Sequence, residues 1–285
     1  MTPTAPRALA KPARRSRRLR FPDWVGSLPF LGLHVACLAT FVTSVHTVDW
    51  IMCATLYLVR MFGITAGYHR YFSHRSYKTS RPFQFVLAWL GCTAMQKGPL
   101  WWAAHHRLHH KHSDTEEDPH SPVVYNFWKA HVGWILDARN DMTHWRMIRD
   151  FKRYPELLWL NRHHWVPGLM LAALCWLVSG WGGLVVGFIL STVILYHGTF
   201  LINSLAHVFG SRRYETADDS RNNFALAVVT LGEGWHNNHH HYQSAARQGF
   251  FWWEIDVSYY TLKALSWVGL VWDLRQPPKK MLEKA

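Results

Sequence analysis

The chain of 285 residues is short of charge. Asp, Glu, Lys and Arg make up 17% of it, against roughly 25% in an ordinary soluble domain. It is also short of cysteine. Cys37, Cys53, Cys92 and Cys175 each lie in an apolar stretch, and no two form a CxxC pair. A thiolate zinc site, a haem-attachment motif, an iron–sulfur cluster and a secreted disulfide scaffold therefore have no support. No nucleotide-binding glycine fingerprint is present, so no reductase domain is legible. Acid is scarcest at the start: residues 1–20 hold seven Lys and Arg and neither Asp nor Glu.

The remaining composition is unusual. Apolar residues reach 49%, with 17 tryptophans and 20 histidines. Tryptophan at this level points to a lipid–water boundary. The mean hydropathy of −0.11 hides segregation, because long apolar runs stand apart from polar stretches. Residues 28–45 and 50–67 each reach the roughly 18 residues that a spanning helix needs, with Arg60 inside the second. Residues 165–202 exceed one span, and Ser-Gly-Trp-Gly-Gly at 179–183 divides them. The pattern predicts four spans in two hairpins, near 28–45, 50–67, 164–180 and 183–206.

The basic residues test that topology. Seven fall in residues 1–22, fourteen in 68–164 and nine in 208–285, leaving Arg60 alone; the two short outer links have none. By the positive-inside rule all three basic regions, and both termini, face the cytoplasm. The formal charge of +13 then reflects topology, and no recognition motif accompanies it to argue for nucleic acid. Residues 1–22 read as a disordered basic tail touching anionic lipid. Residues 23–275 form the membrane domain, whose cytosolic cap comprises 68–163 and 207–275, and 276–285 form a C-terminal tail. Within the cap, 83–95 suits an interfacial or core helix, and 251–274 reads as an amphipathic helix lying in the interface.

Histidine spacing is what topology cannot explain. His69 and His74 form an HxxxxH; His106, His109 and His110 form an HxxHH; His236, His239 and His240 form another; His207 closes the last span. Offsets of three and four share a helical face. HxxxxH does not on an ideal α-helix, so it needs a helix end. Nine clustered imidazoles buried without a cation would leave nitrogens unpaired or repelling, so the pattern reads as metal binding. Imidazole suits zinc, copper, iron and nickel. Nine ligands exceed the capacity of one ion and fit two. His34, His131, His144 and His163 read as ordinary surface or core residues.

With these boxes on the page the sequence resembles the membrane fatty acid desaturases, in their stearoyl-CoA desaturase-like branch. The resemblance rests on Gly63-Ile-Thr-Ala-Gly67 before His69, on His106-Arg-Leu-His109-His110, on Asp118-Pro119-His120, on Asn203-Ser-Leu-Ala-His207, and on Gly232-Glu-Gly-Trp-His236-Asn-Asn-His239-His240. It covers roughly residues 45–275. It implies an all-α integral membrane protein with four transmembrane helices below a cytosolic helical cap. It implies two iron ions on His69, His74, His106, His109, His110, His207, His236, His239 and His240, with Asn203 holding a metal-bound water. The implied reaction uses O2 and two electrons from a separate donor (a ferredoxin, rubredoxin or small cytochrome) to place a cis double bond, at delta-9, in a saturated acyl chain. Gln96 and Trp102 match residues at the kink of the acyl tunnel.

Ala104-His105 and Ala138-Arg139 stand where the acyl-CoA branch carries Arg-Asp and Arg-Lys pairs, so an acyl-lipid or acyl-carrier-protein substrate stays open beside acyl-CoA. Asp114, Glu116, Glu117, Asp118, Asp219 and Glu233 are candidates to orient imidazoles by accepting their distal N–H. The alternatives are a di-iron hydroxylase of fatty chains or alkanes and, in another class, a non-enzymatic metal carrier. A carrier would put its polar ligands near mid-bilayer, whereas these histidines cluster at span ends. The expected location is a bacterial inner membrane.

Overall fold

A computed structural model describes residues 24–283; the basic tail at 1–22 and the last two residues lie outside them. Helix α1 (Trp24–Ala36) runs into a 3-10 turn, Cys37–Phe41. Helix α2 (Thr47–Phe62) starts at a capping box, in which the His46 N–H donates to Asp49 Oδ2 at 2.8 Å. The first apolar helix ends at Phe41, four residues short of the expected limit. The tightened 3-10 turn ends it, with Val42 and Thr43 both donating to the Ala39 carbonyl.

Beyond α2 the helix continues as a π-helix, Gly63–Ser73. Helices α3 (Arg81–Thr93) and α4 (Pro99–His112) follow, each with proline in its first turn, where the missing N–H costs nothing. Helix α5 (Pro155–Arg162) leads to α6 (Val166–Gly182), a π-helical stretch Gly183–Leu190, and α7 (Ser191–Ser204), which ends in a 3-10 turn at His207. Short helices α8 (Phe224–Val229) and α9 (His236–His241) precede α10 (Val257–Trp267) and α11 (Lys279–Leu282).

Among the described residues, two helical stretches are long and apolar enough to cross a membrane, Thr47–Ser73 and Val166–His207; Val25–Phe41 is a shorter apolar helix. The 42 residues from Val166 to His207 would extend about 63 Å if straight, twice the hydrocarbon thickness. They are not straight. Ser179 (φ −143°, ψ 24°) and Gly180 (φ 58°, ψ −142°) leave helical geometry. A Cβ on Gly183 would lie 2.2 Å from the Cys175 carbonyl, although eight residues of straight helix span about 12 Å. The chain folds back there, at the Ser-Gly-Trp-Gly-Gly break.

Helix α2 and the returning arm run in the same direction, since Asp49 approaches Gly182, Met52 approaches Gly187, and Tyr57 and Met61 approach Gly198. Helix α1 runs opposite to α7, with Phe30 against Tyr196 and Phe200 and His34 against His197. Arg60 sits inside this bundle, fully buried. It donates to the Leu56 carbonyl at 3.0 Å, to Thr192 Oγ1 at 2.6 Å and to Ser191 Oγ. Its guanidinium is thus paired inside the bundle.

The expected 251–274 helix is shorter than the sequence pattern implied. Asp256 Oδ1 accepts from the Tyr259 N–H at 3.0 Å and starts α10 only at Val257. Gly269, at φ 75°, ends the segment, and β2 (Val271–Trp272) pairs antiparallel with β1 (Lys78–Thr79). The fold is therefore helical with one two-residue ladder that ties the cap to the end of the first histidine segment. The main core lies between the π-helix, α3, α4 and residues 148–160, centred on Tyr68, Phe72, Leu87, Leu100, Phe151 and Leu160.

Candidate metal centre

The π-helix decides the first box. A π-turn closes i→i+5 hydrogen bonds, and the His74 N–H donates to the His69 carbonyl at 3.2 Å. A spacing that no α-helix face accommodates thus brings His69 and His74 to ring centroids 4.8 Å apart. Helix α4 supplies His106, His109 and His110; the 3-10 turn after α7 supplies His207; α9 supplies His236, His239 and His240. All nine histidines singled out in the sequence converge, and they divide into two groups: His69, His74, His106, His110 and His239 in one, His109, His207, His236 and His240 in the other. Within each group the ligand atoms lie within 4.8 Å of one another.

The inward nitrogens are too close to be comfortable alone. Nε2–Nε2 separations are 3.0 Å for His69–His239, 2.8 Å for His74–His106, 2.9 Å for His106–His110, 2.9 Å for His110–His239 and 3.0 Å for His207–His236. With metal–imidazole bonds of about 2.1 Å, a tetrahedral site separates its ligands by about 3.4 Å and neighbouring positions of an octahedron by about 3.0 Å. Each observed separation is short enough for both nitrogens to reach one cation. His240 Nε2 is buried without a hydrogen-bond partner. The donor set fits two cations, one to each group.

Outer nitrogens fix the tautomers. Nδ1 of His109 meets Asp118 Oδ2 at 2.8 Å, Nδ1 of His207 meets Asp114 Oδ2 at 2.9 Å, and Nδ1 of His240 meets Asp218 Oδ2 at 2.5 Å. Nδ1 of His69 meets Glu233, whose other oxygen lies 3.1 Å from Arg70. Each of these imidazoles donates from Nδ1 and turns a bare Nε2 inward, the arrangement that orients and strengthens a metal ligand. Burial, followed by neighbouring imidazoles, holds His74, His106, His110, His236 and His239 well below their ordinary range, and so neutral. Burial would raise the Asp118 carboxyl, but His109 and His120 beside it bring it below its usual value.

Three of the six acidic candidates therefore touch imidazoles of the two groups: Asp114, Asp118 and Glu233. The other three do not. Glu116 is exposed, Glu117 pairs with His112 at 2.9 Å outside both groups, and the Asp219 side chain pairs with Arg212 at 3.3 Å. Asp219 contributes its backbone N–H to Asp114, at 2.8 Å. The residue beside it, Asp218, is the one the sequence reading missed. Adjacent acids carry no periodicity to tell them apart; the turn places Asp218 on His240 and Asp219 on Arg212. Gln248 was missed too: it is buried between Glu233 and the Nδ1 atoms of His69 and His239, at 3.2–3.5 Å.

His34 and His131 are not isolated residues. His34 Nε2 meets His197 Nε2 at 3.1 Å, and His197 Nδ1 meets His131 Nε2 at 3.0 Å.

Two of the cavities that adjoin the histidines meet at Trp102, His106 and Asn203. A small one between the groups is walled by His69, His106, His109, His236, Trp102 and Asn203. A larger one, about 430 Å³, reaches from Trp102, His106 and Asn203, past Gln96 and Thr199, to Phe30 and Leu33 of α1 and to Trp165. Gln96 Nε2 donates to Thr199 Oγ1 at 3.0 Å. Trp102 stacks on His106, with centroids 5.1 Å apart and planes 20° apart. Both tunnel candidates therefore stand on the wall, and Asn203 lines both cavities.

A helical protein with two apolar membrane-length stretches among its described residues, nine converging imidazoles and a mostly apolar cavity that reaches His106 fits a membrane-bound protein able to hold metal. The chain belongs to the fatty acid desaturase family, whose model matches residues 46–271, and it is an oxidoreductase of that family. It is 37% identical to the sn-1 stearoyl-lipid 9-desaturase of Anabaena variabilis, over 90% of this chain and 96% of that protein. It is 36% identical to an acyl-CoA 5-desaturase of Anemone leveillei, over 86% of this chain and 77% of that protein. It is 34% identical to the hex-5-enoyl-[acyl-carrier protein] acetylenase of Moorena producens, over 90% and 86% respectively. These three relatives differ in carrier and in the position they name.

Proposed function

We propose that the protein is a delta-9 acyl desaturase of the cytosolic membrane face, with two irons held by the nine histidines and Asn203 holding a metal-bound water. The observation that carries this reading is the convergence of the nine imidazoles beside a small cavity that borders both groups and shares Trp102, His106 and Asn203 with a larger, mostly apolar cavity. The overall balance is one saturated –CH2–CH2– unit, O2, two electrons and two protons giving –CH=CH– and two waters. The irons, when bound, supply the oxygen activation that breaks unactivated C–H bonds. The chain supplies position and dryness. Trp102, stacked on His106, and Gln96, held by Thr199, set where the acyl chain turns. The cavity wall excludes water along the chain, and Asp114, Asp118, Asp218 and Glu233 hold the imidazoles in their ligating tautomers. Electrons come from a separate small redox protein.

Four spans with both termini in the cytoplasm are supported by the fold-back at Gly180, by the parallel run of α2 and the returning arm, and by the basic asymmetry. Residues 23–275 act as one domain in this reading, and a bacterial inner membrane suits it. The delta-9 position is supported by the Anabaena relative and by the place of Gln96 and Trp102. Expression in cells lacking unsaturated fatty acids, followed by double-bond mapping, tests it. Chains of sixteen and eighteen carbons should both lose two mass units and carry the bond at carbon nine from the carboxyl. A gain of sixteen mass units would instead establish the hydroxylase, and a bond at a fixed distance from the methyl end would refute the depth-measuring tunnel.

A further inference from the structure

The turn between α3 and α4 has a backbone that its own residues do not favour. Among the described residues, six other than glycine have positive φ, and two of them, Met95 (φ 58°) and Lys97 (φ 67°), stand on either side of Gln96. The left-handed region crowds Cβ against the backbone, and Met and Lys lack the short polar side chain that eases it in Asn or Asp. Just past the end of a helix, where Met95 stands, glycine is the usual residue. Such backbone persists only where the surroundings over-determine it.

Two tyrosines supply that restraint. The Tyr196 hydroxyl, from α7, donates to the Met95 carbonyl at 2.8 Å. The Tyr68 hydroxyl, from the π-helix, lies 3.1 Å from the Lys97 carbonyl and 3.1 Å from Cys92 Sγ. Its one proton goes to the carbonyl, because a cysteine sulfur is the weaker acceptor. Tyr196 and Tyr68 are 5% and 0% exposed. Each strained residue thus has its carbonyl held by a buried hydroxyl, and the two hydroxyls come from different elements. Between them the Gln96 amide donates to Thr199 Oγ1 at 3.0 Å. The Met95 side chain is seated as well, since a Cβ on Gly168 of α6 would lie 2.0 Å from its Sδ. Met95, Gln96 and Lys97 are consecutive residues on the wall of the large cavity, which Trp102 also lines.

Resting on the acyl-desaturase reading, we infer that Tyr68 and Tyr196 are positioning residues for the place of the double bond: their hydroxyls hold the strained turn 94–98 so that Gln96 stays braced on Thr199. The cavity then keeps one contour between Gln96 and Trp102, and a bound chain has one register. Without a hydroxyl, the residue it held relaxes toward negative φ, the Gln96 brace moves with it, and neighbouring registers open. Both tyrosines act through the turn and through Gln96.

Tyr196→Phe and Tyr68→Phe each remove one O–H and keep the ring. The first measurement needs no metal: hydrogen exchange, by mass spectrometry of the purified full chain in detergent, at the Ala94 and Met95 amides, which donate to the Gly91 and Cys92 carbonyls. Exchange there should rise at least tenfold in either variant, with peptides from α2 and α6 unchanged. The second is double-bond mapping after iron loading, where the share of bonds at neighbouring carbons should also rise at least tenfold. Glycine takes a positive φ without help, so Lys97→Gly added to Tyr68→Phe should return exchange and bond position to those of Lys97→Gly alone. A tyrosine that only fills space would show no such rescue. Folded Phe variants with unchanged exchange and a single bond position would overturn the assignment, and so would faster exchange without scattered bonds. Should Tyr68→Phe not fold alone, Lys97→Gly should restore folding by removing the strain; a double variant that stays unfolded would overturn it too. No double bond from the unsubstituted, iron-loaded chain would instead overturn the desaturase reading, and with it the role in bond position, while exchange would still decide whether the hydroxyls hold the turn.

Discussion

The two histidine groups sit side by side but are built differently. In the four-histidine group every imidazole is buried, and three of the four donate to carboxylates, Asp118, Asp114 and Asp218. In the five-histidine group only His69 meets a carboxylate, Glu233, and Arg70, which Asp256 shares at 3.0 Å, partly offsets that acid from the other side. The middle three, His74, His106 and His110, are half-buried, and His74 and His110 line a separate surface hollow of about 360 Å³ with Arg107 and Lys111. One site is closed and surrounded by negative charge; the other is more open and nearly uncompensated. In the proposed centre the two metals are therefore inequivalent. The closed group, with its three carboxylates, would favour the higher charge state of a cation held there, and the five-histidine group would leave its cation the more electrophilic.

The largest effect should come from the ligands. His236→Ala removes a donor from the closed group and His239→Ala one from the open group. Either should abolish product, a fall of at least a thousandfold by gas chromatography, while the protein stays in the membrane. Metal analysis sharpens the comparison: each variant should lose one iron of two. A fully active variant of either kind would remove that histidine from the centre.

The carboxylates come next. Asp118 accepts from His109 and from the backbone N–H groups of Asp114 and His120, both at 3.1 Å. Asp118→Asn keeps the shape and loses the charge. Loss of such an outer partner typically costs about 10–100-fold in metal affinity or activity. The loss should fall on the closed site, read as one weakly held iron in a chelator titration. Glu233→Gln should weaken the open site by less, because Arg70 partly offsets that charge and only one of its five imidazoles meets a carboxylate. Equal effects of the two variants would erase the electrostatic distinction between the groups.

Acid should separate them in another way. Four of the five imidazoles in the open group are held neutral, their affinity for protons lowered by burial and by one another; His236 and His240, the latter brought down to about 4, behave likewise in the closed group. Unfolded histidine titrates near pH 6.5. A lowered folded value means the unfolded chain binds more protons, so stability is present above about pH 6.5 and lost as pH falls below it. His109 runs the other way: burial lowers it, but Asp118 and its neighbours more than compensate. Its contribution is present below about 6.5 and fades as pH rises through its raised value. The depressed carboxylates Asp114, Asp118 and Asp218 matter only lower still, below roughly pH 4. Metal-free protein should therefore lose several degrees of unfolding temperature between pH 7 and 5, followed by tryptophan fluorescence. A flat profile over that window would contradict the neutral-imidazole account.

What was legible in the sequence follows the range of the physics involved. HxxHH declared itself because offsets of three and four share one helical face, and Ser-Gly-Trp-Gly-Gly marked the fold-back because Gly180 needs a positive φ. The His69–His74 pairing needed a π-helix, which no local propensity announces. Its place at the end of the second apolar run was readable, but its geometry and its partners within one group were not. The His34–His197–His131 chain links residues 163 and 66 apart in sequence, a distance over which no pattern carries information. The preference for Asp218 over Asp219 at His240 hangs on one turn of loop backbone.

The smallest expected effect lies where the two groups share a wall. Trp102 lines both cavities, stacks on His106 of the open group, and borders the small cavity that His109 and His236 of the closed group also line. Its ring is thus placed to fix which carbons of a bent chain lie against the centre. Trp102→Ala would leave a void and typically costs about 3–5 kcal/mol of stability. Trp102→Phe keeps an aromatic face and is the milder probe. Adjacent registers of a bound chain differ by one methylene. A loss of about 1.4 kcal/mol in discrimination between them changes the product ratio tenfold. The variant should retain both irons and most of its turnover, while a minority of double bonds moves to carbons beside the ninth. Unaltered position with unaltered rate would put the turn of the chain elsewhere on the cavity wall, Gln96 and Thr199 being the next pair to change. Scattered positions with full iron content would show that the shared wall measures the chain and that the two groups only hold the metals.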